Sequence, residues 1–493
     1  MNNAVKINFK GGIISPGNLY NILVAVAKAG VGYVSFGLRQ QLLVNISDER
    51  KTLLTQELDM LDVMYETGKE NHPNIISSYP VEEIFITNTW LSEGVYKDIF
   101  DLMDFSPRLK INVSDSNQSF TPMLTGNINW VASADTQHFW HLFIRFPKTN
   151  TVYEWDQLVY TNDVASVSKQ IEKLVMGEPE KFYDNPLAVG EDLFKTISQQ
   201  EYILKKAPKP AVLPAFNLPY YEGLNKYGNK YWLGIYRRDE LFSVAFLKEL
   251  CSICLHTKIG QLCSTPWKTI IVKSIEEKDR YLWNRLLEKY QINMRHAANE
   301  LNFQVEDNCA GGLALKQHLV KHLNNDDTRS FGICIGIKTR GKSEVFSSIL
   351  IRRKPLIKIG SFEAFFLYDI LCANEFNPNE RTGTIFSSNN PKIFLEEQLR
   401  RAINSYYQYK ASKVVQGKVA EEKPVAEKKK PVMQTVHQCV HCLTIYDEKF
   451  GDAENEVSAG TNFDQLPATY TCPLCEAAKE DFNTINAPYL QAV

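Results

Sequence analysis

Two cysteine pairs constrain this chain more than any other feature. Cys439-Val-His-Cys442 and Cys472-Pro-Leu-Cys475 have 29 residues between them in a sequence of 493. A CxxC turn offers two thiolates from one tight bend, and nearby backbone N–H groups can point at the sulfurs. Two such turns supply four sulfurs to one ion, for which the natural geometry is tetrahedral. The intervening chain must therefore fold so that the two turns face each other. On ligand chemistry alone two metals fit, zinc as a structural ion and iron as a redox ion. Ten cysteines in all are too few for a disulfide scaffold of this length. Clustered cysteines then read as metal ligands or catalytic thiols in a reducing compartment.

The residues around the pairs narrow the choice. Tyr446-Asp447, Gly451-Asp452, Gly460-Thr461, Phe463, Leu466-Pro467, Pro473, Lys479 and Phe482 accompany the cysteines. In this pattern, residues 436–485 resemble rubredoxin, the small mononuclear iron protein. The resemblance implies one iron on Cys439, Cys442, Cys472 and Cys475, with aromatic residues packed beside it and a ferric/ferrous cycle. Four positions depart from the family pattern. Leu443, Thr444 and Glu476 stand where Gly, Tyr and Gly are usual, and Tyr470 stands where Trp is common. Glycine permits positive φ and close backbone approach, so losing two predicts altered N–H to sulfur bonds and an altered reduction potential.

Upstream, residues 411–435 read ASKVVQGKVAEEKPVAEKKKPVMQT. The segment has no aromatic residue and little to bury, which predicts a flexible charged linker. Residues 436–493 hold nine acidic and two basic side chains, whereas the chain as a whole is at −2. An acidic module tethered to a slightly basic body suits electrostatically guided docking. The near-neutral total argues against nucleic acid as a partner.

The body contains an internal repeat. One copy reads GGIISPGNLYNILVAVAKAG and then GYVSFGLRQQLLVNI. Leu19, Ile22, Leu23 and Val26 have helical spacing, Pro16 suits a first helical position and Gly30 a stop. QLLVNI reads as a buried strand. The second copy, YWLGIYRRDELFSVAFLKELCSICLHTKIG then QLCSTPWKTIIVKSI, places Gly260 against Gly32 and Ile270–Val272 against Leu42–Val44. Asp239 is the expected N-cap of its helix. Further helices are expected over 48–64 and 276–290. Beyond each copy, HFWHLFIRF at 138–146 aligns with RSFGICIGI at 329–337. Second strands follow in VYEWDQLVY and VFSSILI, and helices in NDVASVSKQIEKLVM and SFEAFFLYDIL.

With the run ending Arg39-Gln40, this repeat resembles the nitrite and sulfite reductase family. The fold implied is α+β, in two pseudo-symmetric halves. Each half has a ferredoxin-like half-domain (1–75 and 206–290) followed by a larger α+β domain (76–205 and 291–410). The linker (411–435) and the rubredoxin-like domain (436–485) complete the chain. The family's active enzymes bind sirohaem beside a four-iron cluster held by two cysteine pairs, one spaced by five residues and one by three. The body's cysteines, Cys251, Cys254, Cys263, Cys309, Cys334 and Cys372, show neither spacing. A sirohaem pocket would need cations for its carboxylates. Arg39, Arg145 and Arg352 are the candidates, with Lys338, Arg340 and Arg353 near the corresponding strand ends.

Other features fit bland roles. Cys251-Ser-Ile-Cys254 lies in an apolar helical stretch and reads as core rather than as a redox pair. His138 and His141 read as packed histidines, and no dinucleotide or P-loop fingerprint is present. The opening residues carry no signal-peptide pattern, and no run of about 18 apolar residues occurs, so a cytoplasmic location without a membrane is expected. The expected function is electron transfer from a donor reductase through the iron centre to a partner or to the body, linked to nitrite or sulfite reduction. The alternatives are a sirohaem-binding reductase fed by its own iron domain, and a zinc-bound interaction scaffold.

Overall fold

Ser15-Pro16 opens the first long helix as the sequence requires. The Ser15 hydroxyl accepts from the Asn18 N–H, Pro16 needs no donor partner there, and Gly30 follows the end at φ +74°. The structure is a computed structural model and describes residues 3–68, 72–86, 89–183, 185–341, 344–359, 362–380, 382–420 and 433–488. It divides into two units, residues 1–409 and 410–493.

The first half of unit 1 runs β1 (Asn3–Ile7), β2 (Ile13–Ile14), α1 (Pro16–Lys28), β3 (Tyr33–Phe36), β4 (Leu42–Ile46), α2 (Asp48–Met60) and β5 (Tyr65–Glu66). It continues with β6 (Ile76–Ser77), α3 (Glu93–Leu102), β7 (Ile111–Ser114), β8 (Ile128–Ala132), β9 (Phe139–Ile144), β10 (Tyr153–Tyr160), α4 (Val164–Gly177), α5 (Gly190–Ile197) and β11 (Leu204–Lys206). The second half opens β12 (Gly223–Tyr227), β13 (Lys230–Ile235), β14 (Phe242–Ser243), α6 (Val244–His256), β15 (Leu262–Ser264), β16 (Ile270–Ile275) and α7 (Arg280–Lys289). It closes with α8 (Ala298–Leu301), β17 (Phe303–Val305), α9 (Ala310–Asn325), β18 (Ile335–Lys338), β19 (Ile349–Ile359), β20 (Phe362–Ala373), β21 (Gly383–Pro391) and α10 (Lys392–Ala420).

The repeat is visible in the topology. α1 and α6 have equal length, and β4 and β16 follow them at the same spacing. The half-domain sheets have the orders β14-β3-β4-β1-β5 and β12-β13-β16-β15-β2. Each sheet thus takes its edge strand from the other copy: β2 pairs with β15, and β14 with β3. Leu19, Leu23 and Val26 of α1 share one core with Phe246, Leu247 and Leu250 of α6. Burying each such side chain contributes roughly 1.5–3 kcal/mol, so the two half-domains stabilise each other.

The two larger domains also match. In β6-β7-β8-β9-β10-β11 the first three strands are parallel and the rest antiparallel; β17-β18-β19-β20-β21 begins and turns the same way. This corrects the sequence alignment. HFWHLFIRF is β9, whose counterpart is β20, not the segment leading into β18. SFEAFFLYDIL forms most of β20 and is not a helix; α10 is the partner of α4. The reason is period: Tyr368, Ile370 and Cys372 alternate into the core, as a strand demands.

Two local expectations also change. Asp239 does not cap α6. Its carboxylate accepts from the Leu241 N–H at 3.2 Å in a turn, and Ser243 is the cap, accepting from Phe246 N–H. Of residues 411–435, expected as linker, 411–420 are the end of α10 and 433–435 open a strand of unit 2, while 421–432 lie outside the described residues.

Candidate metal centre

Unit 2 contains a three-stranded antiparallel sheet of order β23-β22-β24, from β22 (Met433–Cys439), β23 (Ile445–Tyr446) and β24 (Phe482–Pro488). Cys439 ends β22. The chain then turns through Val440–Leu443, and the Leu443 N–H returns to the Cys439 carbonyl at 3.0 Å. The second turn repeats this, with the Glu476 N–H on the Cys472 carbonyl at 2.9 Å. Leu443 and Glu476 sit at φ +66° and +57°. These are the two positions where the sequence lacks an expected glycine. The left-handed backbone is kept, at a cost of about 1 kcal/mol at each residue.

The turns bring all four sulfurs together. Cys439 Sγ lies 3.6 Å from Cys475 Sγ, and Cys442 Sγ lies 3.4 Å from Cys472 Sγ. The four ligand atoms all fall within 4.8 Å of one another. Thiolates about 2.3 Å from a tetrahedral ion would stand about 3.8 Å apart, so a small contraction or expansion seats a metal. Cys439 and Cys472 are buried, Cys442 is half-buried and Cys475 is exposed. The centre therefore has an inner and an outer side. Val440, Leu443 and Leu474 are exposed on the two turns that form it.

Aromatic packing supports the inner side. Phe463 lies 5.5 Å from Tyr446 and 5.3 Å from Phe482, and His437 stacks on it at 4.0 Å. Tyr470 donates to Asp452 Oδ2 at 2.7 Å, and Tyr446 donates to the Thr461 carbonyl at 2.8 Å. Gly451 is at φ +69°, and a Cβ there would stand 2.5 Å from the Val457 carbonyl oxygen; only glycine fits.

Thr444 supplies what sequence reasoning missed. Its hydroxyl lies 3.0 Å from Cys442 Sγ, and this contact pulls the thiol down to about 6. Thr444 was visible as a departure from pattern, but only the fold aims its hydroxyl at a sulfur. A donor to a thiolate ligand withdraws charge from it and favours the reduced metal. In iron-loaded protein, Thr444→Val is expected to lower the reduction potential by about 40 mV. That is the one-electron equivalent of a net hydrogen bond of about 1 kcal/mol. Potentiometric titration of the two proteins checks it.

Three of the body's candidate cations, Arg145, Lys338 and Arg352, fall around one region. A cavity of about 950 Å³ is lined by Lys110, Arg145, Lys338 and Arg352 together with Glu344 and Cys372. Arg145 donates to the carbonyls of Thr125 (2.8 Å), Gly126 (3.1 Å) and Thr149 (3.1 Å). Arg352 binds Asp369 Oδ2 through Nε and Nη2, at 3.2 and 2.7 Å. Arg39 is buried and does not line this cavity. It donates to the carbonyls of Asn74 (2.6 Å from Nη2) and Ile111 (3.0 Å), and its Nη1 stands 3.6 Å from Glu344 Oε2. Arg340 donates to the Asn308 carbonyl and Arg353 lies over the Phe366 ring. Among the described residues, the body's cysteines form no cluster able to hold a metal. They do not fit a four-iron centre. Cys251 and Cys254 are core residues of α6, and burial pushes the Cys251 thiol up to about 12.

Comparison with known proteins agrees with this division. The sequence profile of the rubredoxin family matches residues 436–482. Rubredoxin-2 of Chlorobaculum tepidum is 44% identical over 48 residues, which is 92% of that protein and 10% of this chain. Rubredoxin-2 of Pseudomonas aeruginosa is 46% identical over 48 residues, 87% of its length and again 10% of this chain. The high molecular weight rubredoxin of Moorella thermoacetica is 43% identical over 49 residues, 21% of that protein and 10% of this chain. The fold resembles the Mycobacterium tuberculosis NirA protein, with a TM-score of 0.58 over 81% of this chain and 80% of that one, at 13% identity. The body therefore has a fold like that of the NirA protein, with a small four-cysteine domain after it. No helix among the described residues is long and apolar enough to cross a membrane.

Proposed function

Residues 436–482 of this chain belong to the rubredoxin family, and from that premise we propose that the protein carries single electrons between a donor reductase and an acceptor. The acceptor is a partner protein or the reductase-like body, in cytoplasmic nitrite or sulfite reduction. The observation that carries this reading is the convergence of Cys439, Cys442, Cys472 and Cys475 within 4.8 Å. Iron bound there supplies a one-electron ferric/ferrous couple. The residues of the chain do the rest. Cys439 and Cys472 anchor the centre on the buried side, and the Cys442–Cys475 side opens toward solvent. Val440, Leu443 and Leu474 give that side an apolar docking surface. The acidic character of residues 436–493 steers it toward a basic partner. Because the domain is tethered, its encounter with the body is intramolecular, at an effective concentration set by the connection.

A second reading is a sirohaem-binding reductase, for which the large basic-lined cavity speaks. Against it stand the missing cluster thiolates and the carboxylates already on these cations, Glu344 and Asp369. The test is the absorption spectrum and metal content of the full chain from iron-replete cells, beside Cys472→Ser. About one iron per chain, with thiolate-to-iron bands absent from the variant, supports electron transfer. A haem-like band persisting in the variant moves the body to the enzyme reading. Zinc retained after iron reconstitution moves the chain to the scaffold reading.

A further inference from the structure

Outside the cysteine centre, three donors meet between two helices. His318 and His322 are four residues apart on α9 and share a face, one turn above the other. Glu396, on α10, reaches both. His318 Nε2 lies 2.6 Å from Glu396 Oε1, and His322 Nδ1 lies 2.9 Å from Glu396 Oε2. The imidazole ring centroids are 4.7 Å apart, and one ligand atom from each residue fits within a 4.8 Å group.

The two helices that carry them share one apolar core. Leu315, Leu319 and Leu323 of α9 pack in one core with Leu395, Leu399 and Ile403 of α10. The three donors themselves are partly buried, between core and solvent. Donors on packed helices are pre-positioned far better than donors on a loop. An ordinary reading is that Glu396 accepts one hydrogen bond from each imidazole. That reading accounts for the two short distances. It leaves without a role the arrangement of two nitrogens and a carboxylate around one point.

We propose that His318, His322 and Glu396 form a second metal site, for a divalent first-row cation of the zinc class. Two imidazoles and a carboxylate are the donor set such ions prefer over magnesium or calcium. Ligand bonds of 2.0–2.2 Å set donor atoms about 3.3 Å apart. That separation lies between the present contacts and the 4.8 Å limit, so small side-chain rotations admit the ion. The partly exposed side leaves the remaining coordination positions to water. The ion would join the last two helices of the second α+β domain. Its donors are harder than four thiolates, so the two sites select different metals.

The test uses the full chain with its cysteine site loaded with iron. Titration with Co²⁺, followed by desalting and metal analysis, is expected to give one cobalt per chain beyond the iron, with visible cobalt absorption. His322→Ala and Glu396→Gln are each expected to weaken cobalt binding at least tenfold, with iron content and the thiolate-to-iron bands unchanged. Both positions are partly exposed, and circular dichroism verifies that the variants fold. Cobalt binding equal in wild type and both variants would overturn the assignment. So would no retained cobalt in the wild type at millimolar Co²⁺ with its iron still in place.

Discussion

Replacing Cys439 with Ala is expected to unfold the small C-terminal domain and leave the first unit folded. The domain's buried cluster comprises Cys439, Tyr446, Phe463, Leu466, Tyr470, Cys472 and Phe482, and two of these are cysteines of the proposed metal centre. A core that small does not offset the ordering entropy of about 50 residues. Metal binding must supply the difference, and structural four-ligand sites contribute on the order of 10 kcal/mol to folding. Removing a buried thiolate leaves three ligands and a void at the end of β22. Hydrogen exchange reads the outcome by segment. Amide protection over 433–488 should collapse, while β8, β9 and β16 exchange as in wild type. Retained protection in the cysteine domain would mean that its packing, not its metal, holds it.

Arg39→Met is expected to cost the body about 3 kcal/mol, with no change in iron content. The guanidinium is buried and ties the Asn74 and Ile111 carbonyls to Glu344. It thereby joins the first half-domain to the first α+β domain and to the loop before β19. Methionine fills comparable space but removes the donor to the Asn74 and Ile111 carbonyls and leaves Glu344 with Lys110, and breaking a buried charge pair from one side costs roughly 3–5 kcal/mol. A pH signature separates this from lost packing alone. Burial opposes ionisation of Glu344, but Arg39 and Lys110 outweigh it and hold the carboxyl below its ordinary value of 4.5. Stability from that pair is present above the unfolded carboxyl's value and is lost as pH falls through the folded one. Without Arg39 the folded value rises, so acid unfolding should begin at higher pH. Denaturant titration across the acid range measures both effects. An unchanged midpoint would remove Arg39 from the structural role.

What the sequence made legible follows from how local each signal is. The metal centre needs only two short motifs and the residues between them, so its ligands could be named. α1 was readable because proline, apolar stripe and terminal glycine all lie within fifteen residues. β20 was misread because a run such as FEAFFLYDIL has apolar residues at both helical and strand periods. The exchange of β2 and β14 between sheets joins residues more than two hundred positions apart, and no local pattern announces it. The same holds for the cavity. Arg39, Arg145 and Arg352 stand out as cations in the sequence, but the groups they bind are set by the fold. His318-x-x-x-His322 was there to read as a spacing, yet its third donor lies on another helix.

The most direct measurement is a reductive titration of the iron-reconstituted full chain, followed optically and by metal analysis. The account predicts one iron per chain, uptake of one electron, bleaching of the thiolate-to-iron bands, and full recovery on reoxidation. A chain that holds zinc in the four-cysteine site after reconstitution, or holds iron that takes up no electron reversibly, would contradict it.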